Sequence, residues 1–159
     1  MQTKYGGEVM EISDTEKLNL TIIHGSRVYD QWSQDHELSD YLVVIMYELL
    51  IREKLTQKEL VNLSDLPKQS INKGIKILRE NGYLTMTVDP SDKRARFCQL
   101  TQTGQKYARD KLHSLFELEE KTAQVLGSEK MKLLIKLAEE WGDTFWQLLN
   151  EERRKDEKL

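Results

Sequence analysis

At 159 residues, 38% hydrophobic and 32% charged, the chain has room for one domain with a core of its own and is too polar for a fibrous or membrane-embedded protein. Its two prolines and eight glycines suit a helix-rich protein, and a single cysteine, Cys98, excludes an intramolecular disulfide. The net charge of −3 argues against a bulk polyanion binder, but seven basic and three acidic residues between Pro67 and Arg96 make that segment +4 and the remainder −7.

A basic island on an acidic body is the footprint of a sequence-selective nucleic-acid reader, or else a solvated basic helix face. The longest apolar run, Tyr41 to Tyr47, is far too short to span a bilayer. The opening MQTKYGGEVMEIS lacks the apolar centre of a secretion signal, so the cytoplasm is the expected location.

Ser13 and Glu16 in SDTE form a capping-box pattern that opens the first long helix, with an apolar seam at Leu18, Ile22, Gly25, Tyr29 and Trp32. A second helix, about 39–53, is apolar around most of its circumference and is expected to be buried on several sides. Thr56 and Glu59 make another capping box, opening a short helix that Ser64-Asp65-Leu66 breaks. Pro67 then stands where proline is tolerated, in the first turn of a new helix. Ile71, Ile75 and Leu78 supply that helix with a buried stripe, and Asn81-Gly82 stops it. Two short helices joined by a tight turn, the second basic on its open side, describe a helix-turn-helix.

YLTMTV alternates, a turn follows at Asp89 to Lys93, and ARFCQLT alternates back. This is a β-hairpin directly after the second helix, a wing with its charge at the tip. Thr101 caps a helix to about Leu126, Gly127-Ser128 breaks it, and a last helix to about Arg153 carries Met131, Leu134, Ala138, Trp141, Phe145 and Leu148 at steps of three and four. That stripe packs either within its own chain or on a second copy. Long aromatic-rich helices at both ends of a small central head favour the second copy.

Residues Leu55 to Gly104 resemble the winged helix-turn-helix core of the MarR family of bacterial transcriptional regulators. The resemblance is carried by LTQKEL, LPKQSINKGIKILRENGYL and, above all, DPSDKRARFCQLTQTG, which fits the wing signature of aspartate, short turn, Asp-x-Arg, strand and Leu-Thr-x-x-Gly. Ser91 stands where many members carry arginine, so this tip has fewer cations. The resemblance implies a mainly α fold with a small hairpin wing. The head would span about 39–101, between dimerisation helices at about 13–36 and 102–153, in a single domain. It implies a homodimer on a palindromic operator of double-stranded DNA, often with repression relieved by a small anionic or phenolic effector or by oxidation. No cofactor is expected.

The N-terminal half of the recognition helix is expected in the major groove. Gln69, Ser70, Asn72 and Lys73 can reach base edges there, since Asn and Gln bond adenine bidentately and Lys bonds guanine. Lys68 and Lys76 suit phosphates, Lys93 and Arg94 form the wing contact, and Asp92 orients the hairpin. Tyr29, Trp32, Trp141 and Phe145 line either the dimer core or an effector pocket. Cys98, in phase with Leu100, reads as a small buried apolar residue rather than a redox sensor. His24, His36 and His113 are too scattered in sequence to imply a metal site. No paired-carboxylate, nucleophile–base or phosphate-loop pattern is legible, so an enzyme is not expected. The alternative is a winged-helix module that contacts an acidic protein instead of DNA.

Overall fold

The computed structural model describes residues 3–5, 8–10, 12–64, 66–88 and 95–156. It divides into two compact units, Met1–Leu112 and His113–Leu159. A short antiparallel ribbon, β1 (Thr3–Tyr5) and β2 (Glu8–Met10), precedes the first helix and was not read from the sequence. Helix α1 (Asp14–Asp35) starts where expected. Ser13 Oγ accepts the Glu16 N–H at 3.3 Å, and Glu16 Oε2 accepts the Ser13 N–H at 2.7 Å.

Helix α2 (Asp40–Arg52) follows and buries Val43, Ile45, Met46 and Leu49, as expected of a helix apolar around most of its circumference, while Ile51 near its end stays exposed. Beyond it lie strand β3 (Lys54–Thr56), helix α3 (Gln57–Leu63) and helix α4 (Lys68–Glu80). The Thr56–Glu59 capping box forms at the head of α3. Pro67 is the N-cap residue of α4, its carbonyl accepting the N–H groups of Ser70 and Ile71 at 2.8 and 3.3 Å. The wing strands β4 (Leu84–Val88) and β5 (Arg96–Leu100) pair with Leu84 opposite Leu100 and Val88 opposite Arg96.

The hairpin read from the sequence is one part of a larger sheet. β3 adds to the free edge of β5, giving the order β3-β5-β4, with Leu55 opposite the buried Cys98. Leu55, Leu60, Ile71, Ile75, Leu78, Leu84, Cys98 and Leu100 form one core with the buried side of α2. α4 lies so close on α2 that a Cβ on Gly74 would meet Ile45 Cδ1 at 2.5 Å and Tyr41 Cδ2 at 2.9 Å, so a side chain there would have to displace both.

Helix α5 (Gln102–Leu126) begins by tying itself to the end of α4. Thr101 Oγ1 donates to the Gly82 carbonyl at 2.8 Å and accepts the Gly104 N–H at 2.9 Å, while the Thr101 N–H reaches the Tyr83 carbonyl at 3.0 Å. Tyr83 stacks on Tyr107 with ring centroids 4.2 Å apart. The Leu-Thr-x-x-Gly stretch therefore has a mechanical explanation. It clamps the wing's exit strand to the turn that ends α4, and a Cβ at Gly104 would fall 1.9 Å from the Tyr83 oxygen.

Gly127, at φ +84°, separates α5 from helix α6 (Ser128–Asp156), on which no residue is fully buried. Along the stripe read on α6, Trp141 is 39% and Phe145 64% exposed. In the first unit Leu18, Ile22 and Tyr29 of the α1 seam are also exposed, whereas Trp32 is 6% exposed and already part of its own chain's core. Trp32 stacks on His36, whose Nδ1 lies 2.8 Å from the Trp32 carbonyl oxygen. Trp32 therefore needs no partner to cover it.

Candidate nucleic-acid interface

α4 separates its residues cleanly by face. Ile71, Gly74, Ile75 and Leu78 are buried, Lys68, Gln69, Asn72, Lys73 and Lys76 are exposed, and Ser70 is half-buried at the margin. Four of the side chains read from the sequence, Gln69, Asn72, Lys73 and Lys76, thus form a row along one open helix face at the expected spacing.

The neighbours of this row differentiate it. Asn72 Oδ1 accepts a hydrogen bond from Nε2 of Gln57, the first residue of α3, so its amide is held in one orientation before any ligand arrives. Lys73 Nζ sits 5.4 Å from the Tyr41 ring centroid, resting on the aromatic face of α2. A hydrogen bond from Ser39 is the largest influence on the Tyr41 phenol and, with Lys73 beside it, holds the group below its usual range. Lys76 is differently engaged. Its Nζ lies 3.8 Å from Glu80 Oε1 one turn on, which dilutes its charge. Arg79 reaches the other way, to Met86 Sδ at 4.0 Å, and ties α4 to β4.

Asp92, Lys93 and Arg94, the wing-tip residues read from the sequence, lie outside the described residues. The strands on either side pair from Leu84 opposite Leu100 to Val88 opposite Arg96. Cys98, at the centre of β5, is wholly buried, and burial pushes its thiol up to about 11. It is a packing residue, as its phase with Leu100 suggested. Tyr29 and Trp32 belong to the first unit; Trp141 and Phe145, 6.1 Å apart as a tilted pair, belong to the second.

The structure also gathers residues that the sequence did not single out as a group. A cavity of about 550 Å³ opens beside the start of α4, lined by Thr56, by Gln57, Lys58 and Val61 of α3, by Lys68, and by Ala95 and Arg96 at the foot of the wing. Gln57 and Lys58 follow a capping threonine and read as an ordinary helix start. Only the pairing of β3 with β5 brings Arg96 to them.

Residues 43–95 match the model of the MarR family, the segment that runs from α2 to the foot of β5. That match is confined to the winged head. Solved structures of regulators share the fold over most of the chain. A MarR family regulator from Neisseria meningitidis superposes at a TM-score of 0.73 with 24% identity, covering 88% of this chain and 99% of that one. NadR, solved in complex with 4-hydroxyphenylacetate, gives a TM-score of 0.67 at 22% identity, covering 89% and 97%. Wild-type MarR from E. coli, in its apo form, gives 0.58 at 14% identity, covering 82% and 97%. No curated protein matches the sequence. Among the described residues no helix is long and apolar enough to cross a membrane.

Proposed function

We propose that this MarR-like chain is a transcriptional repressor that reads a palindromic DNA operator as a homodimer in the cytoplasm. The observation that carries the reading is the open row on α4, where Asn72 is already oriented by Gln57 and Lys73 is already propped on Tyr41. Amide and ammonium donors spaced along one face of a helix are what the major groove selects, since each base pair there presents its own pattern of acceptors and donors. Gln69, Ser70, Asn72 and Lys73 would contact bases, while Lys68 and Lys76 would contact phosphates. The wing, with Lys93 and Arg94 at its tip and Asp92 orienting it, would follow the backbone beyond the helix.

Dimerisation supplies the second half-site. α1 and α6 expose Leu18, Ile22, Trp141, Phe145 and Leu148 along helical seams, and a two-fold partner covers such seams by repeating the same patch on both subunits. A small aromatic acid, of the kind with which NadR was solved, is the effector class that would relieve repression. The chain has no catalytic role in this scheme.

The test is selection of duplexes from a randomised pool, followed by a mobility-shift titration. Enrichment of one inverted repeat bound by two chains supports the reading. Failure to retain any duplex over random DNA refutes it and leaves the head as a surface for protein contact.

A further inference from the structure

The cavity beside α4 combines features that single out one kind of occupant. Its three cations, Lys58, Lys68 and Arg96, come from three different elements, and none makes an ion pair with another described residue. No acidic side chain lines it among the described residues. Glu59, the nearest carboxylate in sequence, is turned into the α3 cap, where its Oε2 accepts from the Thr56 N–H at 2.6 Å and from Thr56 Oγ1 at 2.7 Å. The rest of the described wall is Val61 and Ala95 on an apolar side and Thr56 and Gln57 on a polar one.

A volume of about 550 Å³ is far more than one oxyanion fills, given that a water takes about 30 Å³ of liquid. The site therefore calls for an anion attached to a compact body with both a polar and an apolar side. We propose that this cavity seats one deoxyribose–phosphate unit of the DNA backbone, with the phosphate among Lys58, Lys68 and Arg96 and the sugar against Val61 and Ala95.

This inference rests on the DNA-binding reading and adds to it a residue-level register device. Gln57 belongs to both places, since it lines the cavity and bonds Asn72 on the reading face. A phosphate seated here is thus indexed through one side chain to the amide that faces the bases. Backbone contacts of this kind position the protein, and base contacts then specify the sequence. Lys58 and Arg96 become positioning residues that carry no base preference themselves.

The experiment uses the full chain and the duplex that the wild-type chain selects from a random pool. Lys58→Gln and Arg96→Gln should each lower the log–log salt slope of binding by about one and leave the selected sequence unchanged. In a scan with single neutral methylphosphonates, the backbone position that seats in the cavity should weaken the wild type but not the double variant. Circular dichroism and thermal melts confirm that both variants fold, as exposed positions should allow. If the wild type binds its duplex but the double variant keeps the wild-type slope and methylphosphonate profile, the cavity is not a backbone seat. It is also not one if the variants lose only calorimetric binding of inorganic phosphate while the DNA profile stands. If the wild type binds no duplex, the DNA-binding reading itself fails, and that result is distinct from the other two.

Discussion

At the scale of the residue, Asn72 offers the most direct test of the proposed reading. Its Oδ1 accepts from Gln57, which leaves the Nδ2 hydrogens as donors and would lower the entropy lost on meeting a base. Asn72→Ala and Lys73→Ala should each cost about 1–3 kcal/mol on the selected duplex and relax the base preference at one position, measured by competition against single-base variants. Gln57→Ala should shift binding in the same direction by a smaller amount, and it should have little further effect once Asn72 is alanine. Equal effects in both backgrounds would show that Gln57 acts independently of Asn72. Cys98 gives a second expectation at this scale. Its folded thiol titrates near 11, above the ordinary value of 9.0, so the unfolded state loses its proton first and stability falls as pH rises from about 9 to 11. Below pH 9 the thiol is protonated in both states and contributes no slope. Urea titrations of wild type and Cys98→Ala across that range should diverge in slope, and alkylation at pH 7.5 should await unfolding.

Among the elements, the junction of β5 and α5 decides how firmly the wing is held. Three hydrogen bonds from Thr101 and Gly104 gather the end of α4, the exit of the wing and the start of α5 into one turn. At Gly104 the obstacle to a side chain is backbone: a Cβ would sit 1.9 Å from the Tyr83 carbonyl oxygen, so accommodating it means moving the turn. Gly104→Ala should destabilise the protein by about 1–3 kcal/mol or more, read from the urea midpoint. If the midpoint does not move, the turn is softer than this packing requires. Tyr83 and Tyr107, stacked on the same junction, hold the first turns of α5 against the end of α4.

At the scale of the whole molecule, the apolar surface left open by one chain asks for a partner. Trp141, Phe145, Trp146 and Leu148 on α6 are all at least 39% exposed, and burying each such side chain is worth about 1.5–3 kcal/mol. A two-fold dimer would cover them and set two recognition helices about 34–36 Å apart, one turn of DNA. Trp141→Glu combined with Phe145→Glu should therefore yield a monomer by sedimentation and abolish binding to the selected duplex together, although neither residue lies on the reading head. A wild-type chain that sediments as a monomer at micromolar concentration would refute this, as would a monomeric variant with undiminished DNA affinity.

Both capping boxes, the glycine stops after α4 and α5, the buried stripe of α4 and the alternation of the wing strands were legible in the sequence. They depend on partners within one or two helical turns, or on the side-chain period of a strand, so neighbouring letters record them. The open face of α4 was legible for the same reason. β3 was not, because three residues carry no period and their pairing depends on β5 in a distant part of the chain. The ribbon of β1 and β2, flanking Gly6-Gly7, was equally too short to register against a run with no apolar alternation. Nor could spacing reveal that Gln57 would hold Asn72, that Lys58 and Arg96 would meet across a cavity, or that Trp32 would be covered by its own chain. These outcomes depend on which faces the fold brings together, and that is decided by how the helices and sheet share one core, after local structure has used up what the sequence says about itself.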